Sequence, residues 1–112
     1  MSIATVVTDE SFEAEVLTNP RPVIVEYWAD WCGPCRQVAP VLDSIAADYV
    51  GAVDLVKVNA DENPATIGSY GILAVPTVSL FVGGIVVKQV VGARSKSAFL
   101  RVFGEALAPS AV

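Results

Sequence analysis

Cys32 and Cys35, separated by two residues, are the only cysteines in a chain of 112 residues that contains no histidine. A thiol pair at this spacing supports three chemistries: exchange with a disulfide, ligation of a metal, or a permanent cross-link. A closed zinc site takes four nitrogen or sulfur ligands and one chain offers two, so zinc demands a second copy or carboxylates. A fixed bridge across so short a loop stabilises by only about 2 kcal/mol on the chain-entropy relation, a weak motive in a domain with a good core. Exchange is the strongest of the three, and it requires that one sulfur become a reachable thiolate.

The elements around the pair favour that state. Residues 23–27 read as a buried central strand leading into Trp31-Cys32-Gly33-Pro34-Cys35. Beyond it, Val38, Val41, Leu42, Ile45, Ala46 and Tyr49 mark the inner face of a helix that ends near Gly51. Cys32 therefore sits just before a helix N-terminus, where unpaired backbone N–H groups and the positive end of the macrodipole stabilise negative charge. Cys35 falls in the first turn, expected to be shielded and close enough to bridge. Pro34 suits that turn because its missing donor has no helical partner there, and Gly33 lets a partner's backbone come near. Pro40 lies inside the helix and is expected to kink it.

The remaining segments alternate strand and helix, an α/β pattern without repeats or linker composition. Residues 3–7 form a short strand, and Thr8 caps a brief helix carrying Phe12 and Val16. Residues 53–59 form a strand expected to run parallel to the central one through a right-handed crossover. Asn63 or Asp61 caps a helix from Pro64 to about Tyr70, and Gly71 closes it. Residues 77–82 and 85–91 make a hairpin about Gly83-Gly84. Ser95 caps a final helix with Phe99, Leu100, Phe103 and Leu107 along one side. The expected architecture is a mixed sheet of about five strands sandwiched by four helices, one domain over residues 1–107 with a short flexible tail at 108–112. Glu26 lies in the middle of the apolar central strand, where an unpaired carboxylate is costly. It is therefore protonated or paired, with Lys57 as the structural partner.

Composition excludes several classes. Seven basic against twelve acidic side chains give a net charge of -5, which argues against nucleic acid as a partner. The apolar runs fall far short of the roughly 18 to 20 residues of a membrane-spanning helix, so no membrane partner is expected. The N-terminus shows no signal-peptide pattern, making the cytoplasm the default compartment. In that reducing setting a cysteine pair is more often catalytic or metal-binding than a staple.

Taken with Phe12, Trp28-Ala29-Asp30-Trp31, Pro40, Lys57, Asp61, Asn63-Pro64, Tyr70-Gly71, Val75-Pro76-Thr77, Phe81, Gly84 and Gly92, the Cys32-Gly33-Pro34-Cys35 segment resembles the thioredoxin family over residues 8–107. The resemblance implies a thioredoxin fold and a protein-disulfide reductase whose catalytic residues are Cys32, Cys35, Glu26 and Lys57. Glu26 stands where the family carries aspartate, and it implies a relay that takes the Cys35 proton, tuned by Lys57. Val75-Pro76 is implied to be cis and beside the cysteines, so that an extended substrate pairs with Val75. Trp31, Gly33, Pro34, Ala74, Val75, Pro76, Gly92 and Ala93 are implied to bind substrate. Trp28 is expected to pack beneath the active loop, and Asp30, Asp61 and Arg36 to steer or simply to be solvated.

The implied partners are disulfide-containing proteins and a separate NADPH-dependent thioredoxin reductase. No resident cofactor or metal is implied, and a monomer is the default. Members that oxidise or isomerise disulfides tend to carry histidine between the cysteines, so Gly33-Pro34 favours reduction. The competing class is a non-catalytic binding subunit that uses the apolar rim around the cysteines. A double cysteine-to-serine variant discriminates, since only the binding role survives it.

Overall fold

The computed structural model describes residues 3–107; the tail expected at 108–112 lies outside the described residues. Five strands, β1 (Thr5–Val6), β2 (Val23–Trp28), β3 (Asp54–Asn59), β4 (Thr77–Val82) and β5 (Ile85–Val91), form one sheet in the order β1-β3-β2-β4-β5. β3 runs parallel to β1 and β2, and β4 antiparallel to β2 and β5. The helices are α1 (Gly33–Asp48), α2 (Pro64–Ser69), α3 (Lys96–Leu107) and a short π-helix at Glu13–Leu17. This is the thioredoxin fold expected from the sequence. None of the described helices is long and apolar enough to cross a membrane.

β2 explains where the site lies. Every residue from Val23 to Tyr27 is buried because helices cover both faces of the central strand. Successive side chains of a strand point to opposite faces. Ile24 joins Leu42, Ile45, Phe99 and Phe103 in the core beneath α1 and α3, whereas Val25 and Tyr27 join Phe12, Val16, Val56 and Phe81 on the other face. The same alternation puts Glu26 on the α1 side. Each large apolar side chain so buried is worth roughly 1.5–3 kcal/mol. On the far face Phe12, Tyr70 and Phe81 form a triangle with ring centroids 5.2–5.6 Å apart, which holds the π-helix and α2 to the sheet.

Two caps differ from expectation. Thr8 does not cap the first helix. Its N–H binds Ser11 Oγ (2.9 Å) and its carbonyl accepts from Ser11 N–H (3.1 Å), so residues 8–11 form a turn and the helix starts later. α2 is capped neither by Asp61 nor by the Asn63 side chain, although Asn63 occupies the N-cap position. Asp9, far away in sequence, accepts from the N–H groups of Ala65 (3.2 Å) and Thr66 (2.9 Å) and from Thr66 Oγ1 (2.7 Å). Asn63 instead ties the loop together, accepting from Asp9 N–H (2.8 Å) and donating to the Asn59 carbonyl (2.9 Å).

Candidate active site

The end of β2 and the start of α1 place the two cysteines. Cys32 is the N-cap of α1, with the extended backbone (φ -92°, ψ 105°) that a cap requires, and Pro34 occupies the first turn. Cys32 N–H donates to the Ala29 carbonyl (3.1 Å), closing the turn that follows β2. Cys32 Sγ takes the role of a capping oxygen and accepts the Cys35 N–H at 3.1 Å. The two residues are joined by a disulfide, with their Cα atoms 5.3 Å apart. Both are only 3% exposed, so in the bridged form Cys32 is no more open than Cys35.

A second segment closes over the sulfurs. Val75 and Trp28 pack on the small cluster of Ala29, Cys32 and Cys35. The Val75–Pro76 bond is cis, as the resemblance implied. Flanking backbone groups are engaged: the Ala74 carbonyl accepts from Thr77 Oγ1 (2.6 Å) and the Pro76 carbonyl from Gly92 N–H (2.8 Å). Val75 itself has no backbone hydrogen bond to another described residue. Its N–H and C=O therefore stand beside the disulfide without a backbone partner among the described residues.

The expected rim residues gather here to different degrees. Trp31 is 70% exposed, with its indole N–H on Asp61 Oδ2 (2.9 Å). Pro34 and Ala74 are exposed, Gly33, Val75, Gly92 and Ala93 half-buried, and Pro76 buried. Trp31, Ala74 and Val75 border an open cavity of about 190 Å³ with Ala60, Ile67 and Leu73. Leu73, 97% exposed, was missed from sequence. Its signal was an apolar side chain in the turn before Val75-Pro76, where a polar residue suffices unless something docks. Arg36 Nη1 donates to the Asp30 carbonyl (2.7 Å), so both belong to the loop's own hydrogen bonding.

Beneath the cysteines, Glu26, Trp28, Ala29, Cys35, Ala39 and Lys57 line another cavity of about 190 Å³. Burial raises the Glu26 carboxyl to about 7, with Lys57 opposing that rise and Asp43 on α1 reinforcing it. Glu26 and Lys57 are register partners on β2 and β3, yet no ion pair joins them among the described residues. Lys57 Nζ instead lies 4.6 Å from the centroid of the Trp28 ring, a cation–π contact. The arrangement combines a sulfur that caps a helix, a neighbouring sulfur bonded to it, and a buried acid that titrates near neutrality next to the second one.

A dithiol–disulfide pair at a helix N-terminus, beside a cis proline at the end of a mixed sheet, defines a thiol–disulfide oxidoreductase. The thioredoxin family profile matches residues 3–104. A thioredoxin of Streptomyces clavuligerus is 52% identical over 95 residues, covering 85% of this chain and 88% of its own. Thioredoxin 1 of a Nostoc species is 54% identical over 97 residues (87% and 91%), and a thioredoxin of Allochromatium vinosum 57% over 91 residues (81% and 85%). The chain belongs to the thioredoxin family, and its chemistry is dithiol–disulfide exchange through Cys32 and Cys35.

Proposed function

We propose that the chain is a general protein-disulfide reductase in which Cys32 attacks and Cys35 resolves. The Cys32 thiolate displaces one sulfur of a substrate disulfide, forming a mixed disulfide and releasing the first substrate thiolate. Cys35, once deprotonated, attacks Cys32 Sγ, expels the second substrate thiolate and closes the Cys32–Cys35 bridge. Two electrons pass from the pair to the substrate, whose thiolates then take up protons. The observation that carries this reading is the Cys35 N–H directed at Cys32 Sγ, because the same donor and the helix terminus behind it stabilise negative charge on that sulfur.

In this reading Glu26 takes the Cys35 proton through water in the cavity they share, which is large enough for several molecules. A base is most effective when its pKa lies near the working pH, and about 7 meets that condition. Lys57 tunes the carboxylate from the neighbouring strand. Substrate lies extended along Val75 and cis-Pro76, bordered by Trp31, Gly33, Pro34, Ala74, Gly92 and Ala93. A separate flavin-containing, NADPH-dependent thioredoxin reductase regenerates the dithiol. The chain works as a monomer in the cytoplasm, where the reducing poise suits it.

NADPH consumption in the presence of a thioredoxin reductase and insulin tests the scheme. Cys32→Ser is expected to abolish turnover while leaving the fold intact, and Cys35→Ser to accumulate a mixed disulfide visible by mass spectrometry. Unchanged turnover in Cys32→Ser removes the reading.

A further inference from the structure

The rim at Gly92 and Ala93 carries a guanidinium that the redox chemistry does not use. Gly92 N–H donates to the Pro76 carbonyl (2.8 Å), which ties this loop to the backbone beside Val75. Arg94 folds back along the loop. Its Nη1 donates to the Ala93 carbonyl (3.2 Å) and lies 2.8 Å from where a Cβ on Gly92 would stand. The bare Gly92 backbone thus makes room for the guanidinium at the edge of the substrate strand. Arg94 is exposed and has no carboxylate within ion-pair distance among the described residues, whereas Arg21 is paired with Asp54 and Lys96 with Asp48. Its single internal hydrogen bond leaves most of its five N–H donors for a ligand.

Resting on the reductase reading, we propose that Arg94 is a specificity residue that selects disulfide-bearing segments with a carboxylate close to the attacked cysteine. A planar guanidinium matches a carboxylate bidentately, which a lysine ammonium or a neutral donor cannot do. The chain's net charge of -5 works against acidic partners at long range. Salt screens that repulsion beyond about 8 Å under physiological conditions, so at contact the guanidinium governs selection.

The test uses oxidised peptides identical except for Asp, Asn or Lys beside the attacked cysteine. Each rate is normalised to reduction by dithiothreitol to remove the peptide's own reactivity. The wild type is expected to prefer Asp to Lys by about 5- to 10-fold in kcat/KM, carried by KM and narrowed at 300 mM salt. Arg94→Ala is expected to reduce that preference to near unity, and Arg94→Glu to invert it. An Asp-to-Lys ratio that stays the same in Arg94→Ala overturns the proposal, as does equal reduction of all three peptides by the wild type. If the wild type reduces none of them although dithiothreitol does, the reductase reading fails and the proposal falls with it.

Discussion

Lys57 stands opposite Glu26 in the register of β2 and β3, but its ammonium lies over the Trp28 ring and not against the carboxylate. A direct pair would hold Glu26 ionised, in the manner of a structural salt bridge. With Lys57 on the ring, desolvation outweighs the Lys57 attraction and the acid titrates near 7. The structural pairing considered from sequence is therefore replaced by a protonatable acid. Trp28, expected only to pack beneath the active loop, also carries the Lys57 ammonium on its ring.

This shift has a definite sign in stability. Glu26 titrates near 4.5 when unfolded and about 7 when folded, so between those values the native state holds a proton that the unfolded state has lost. Stability then falls as pH rises through that window, by about 3 kcal/mol in all, because each pKa unit is worth about 1.4 kcal/mol. Glu26→Gln removes the dependence. Urea unfolding is expected to show the variant gaining on the wild type by about 2–3 kcal/mol between pH 5 and pH 8. Parallel curves for the two proteins would show that Glu26 is already ionised at pH 5. In the same variant, resolution of the mixed disulfide by Cys35 is expected to slow and to lose its inflection near pH 7, whereas a purely structural role leaves that profile unchanged.

What was legible in the sequence was local. Cys32 and Cys35 at a strand-to-helix junction, the hairpin about Gly83-Gly84 and the buried central strand β2 each follow from residues within a few positions of one another. The missing parts join distant segments. Asp9 caps α2 from more than fifty residues away, and nothing near Pro64 announces it. The choice of Lys57 between Glu26 and Trp28 depends on side-chain packing across two strands and not on register. Leu73 escaped because an exposed apolar side chain is common on any surface and gains meaning only beside Trp31 and Val75.

Gly33 and Gly92 flank the same rim but are expected to respond to alanine in opposite ways. A Cβ on Gly33 meets nothing within 4 Å, and its backbone is already helical, so Gly33→Ala is expected to raise stability by up to about 1 kcal/mol. Any loss then appears in substrate binding, as a several-fold higher KM for protein disulfides with an unchanged melting temperature or a higher one. Gly92 has φ 94°, and its Cβ would stand 2.8 Å from Arg94 Nη1. The flexible guanidinium can move aside, so the backbone term dominates, and Gly92→Ala is expected to lose about 1–2 kcal/mol. Thermal melts together with peptide kinetics separate the two. A stability loss in Gly33→Ala would mean that the chain itself, and not a partner, needs the glycine.

Asp9 gives the opposite pH signature to Glu26. Its carboxylate accepts from Thr66 Oγ1 and from the Thr66 and Ala65 N–H groups, and the Thr66 side chain is the main cause that holds its pKa below the usual 3.8. For a depressed acid the stabilisation is complete above the unfolded pKa and is lost as pH falls through the folded one. Asp9→Ala should therefore lower the melting temperature at pH 7 and flatten its decline below pH 4, since the proton that breaks the cap no longer has a site. Asp9→Asn retains one acceptor oxygen for the Thr66 contacts and is expected to fall between the two. α2 carries Ile67 and leads into Ile72 and Leu73, so loosening its first turn is expected to reach the Trp31 cavity. Hydrogen exchange at the Ala65 and Thr66 amides checks the first link and Trp31 fluorescence the second. Unaltered protection of both amides in Asp9→Ala would place the cap of α2 elsewhere.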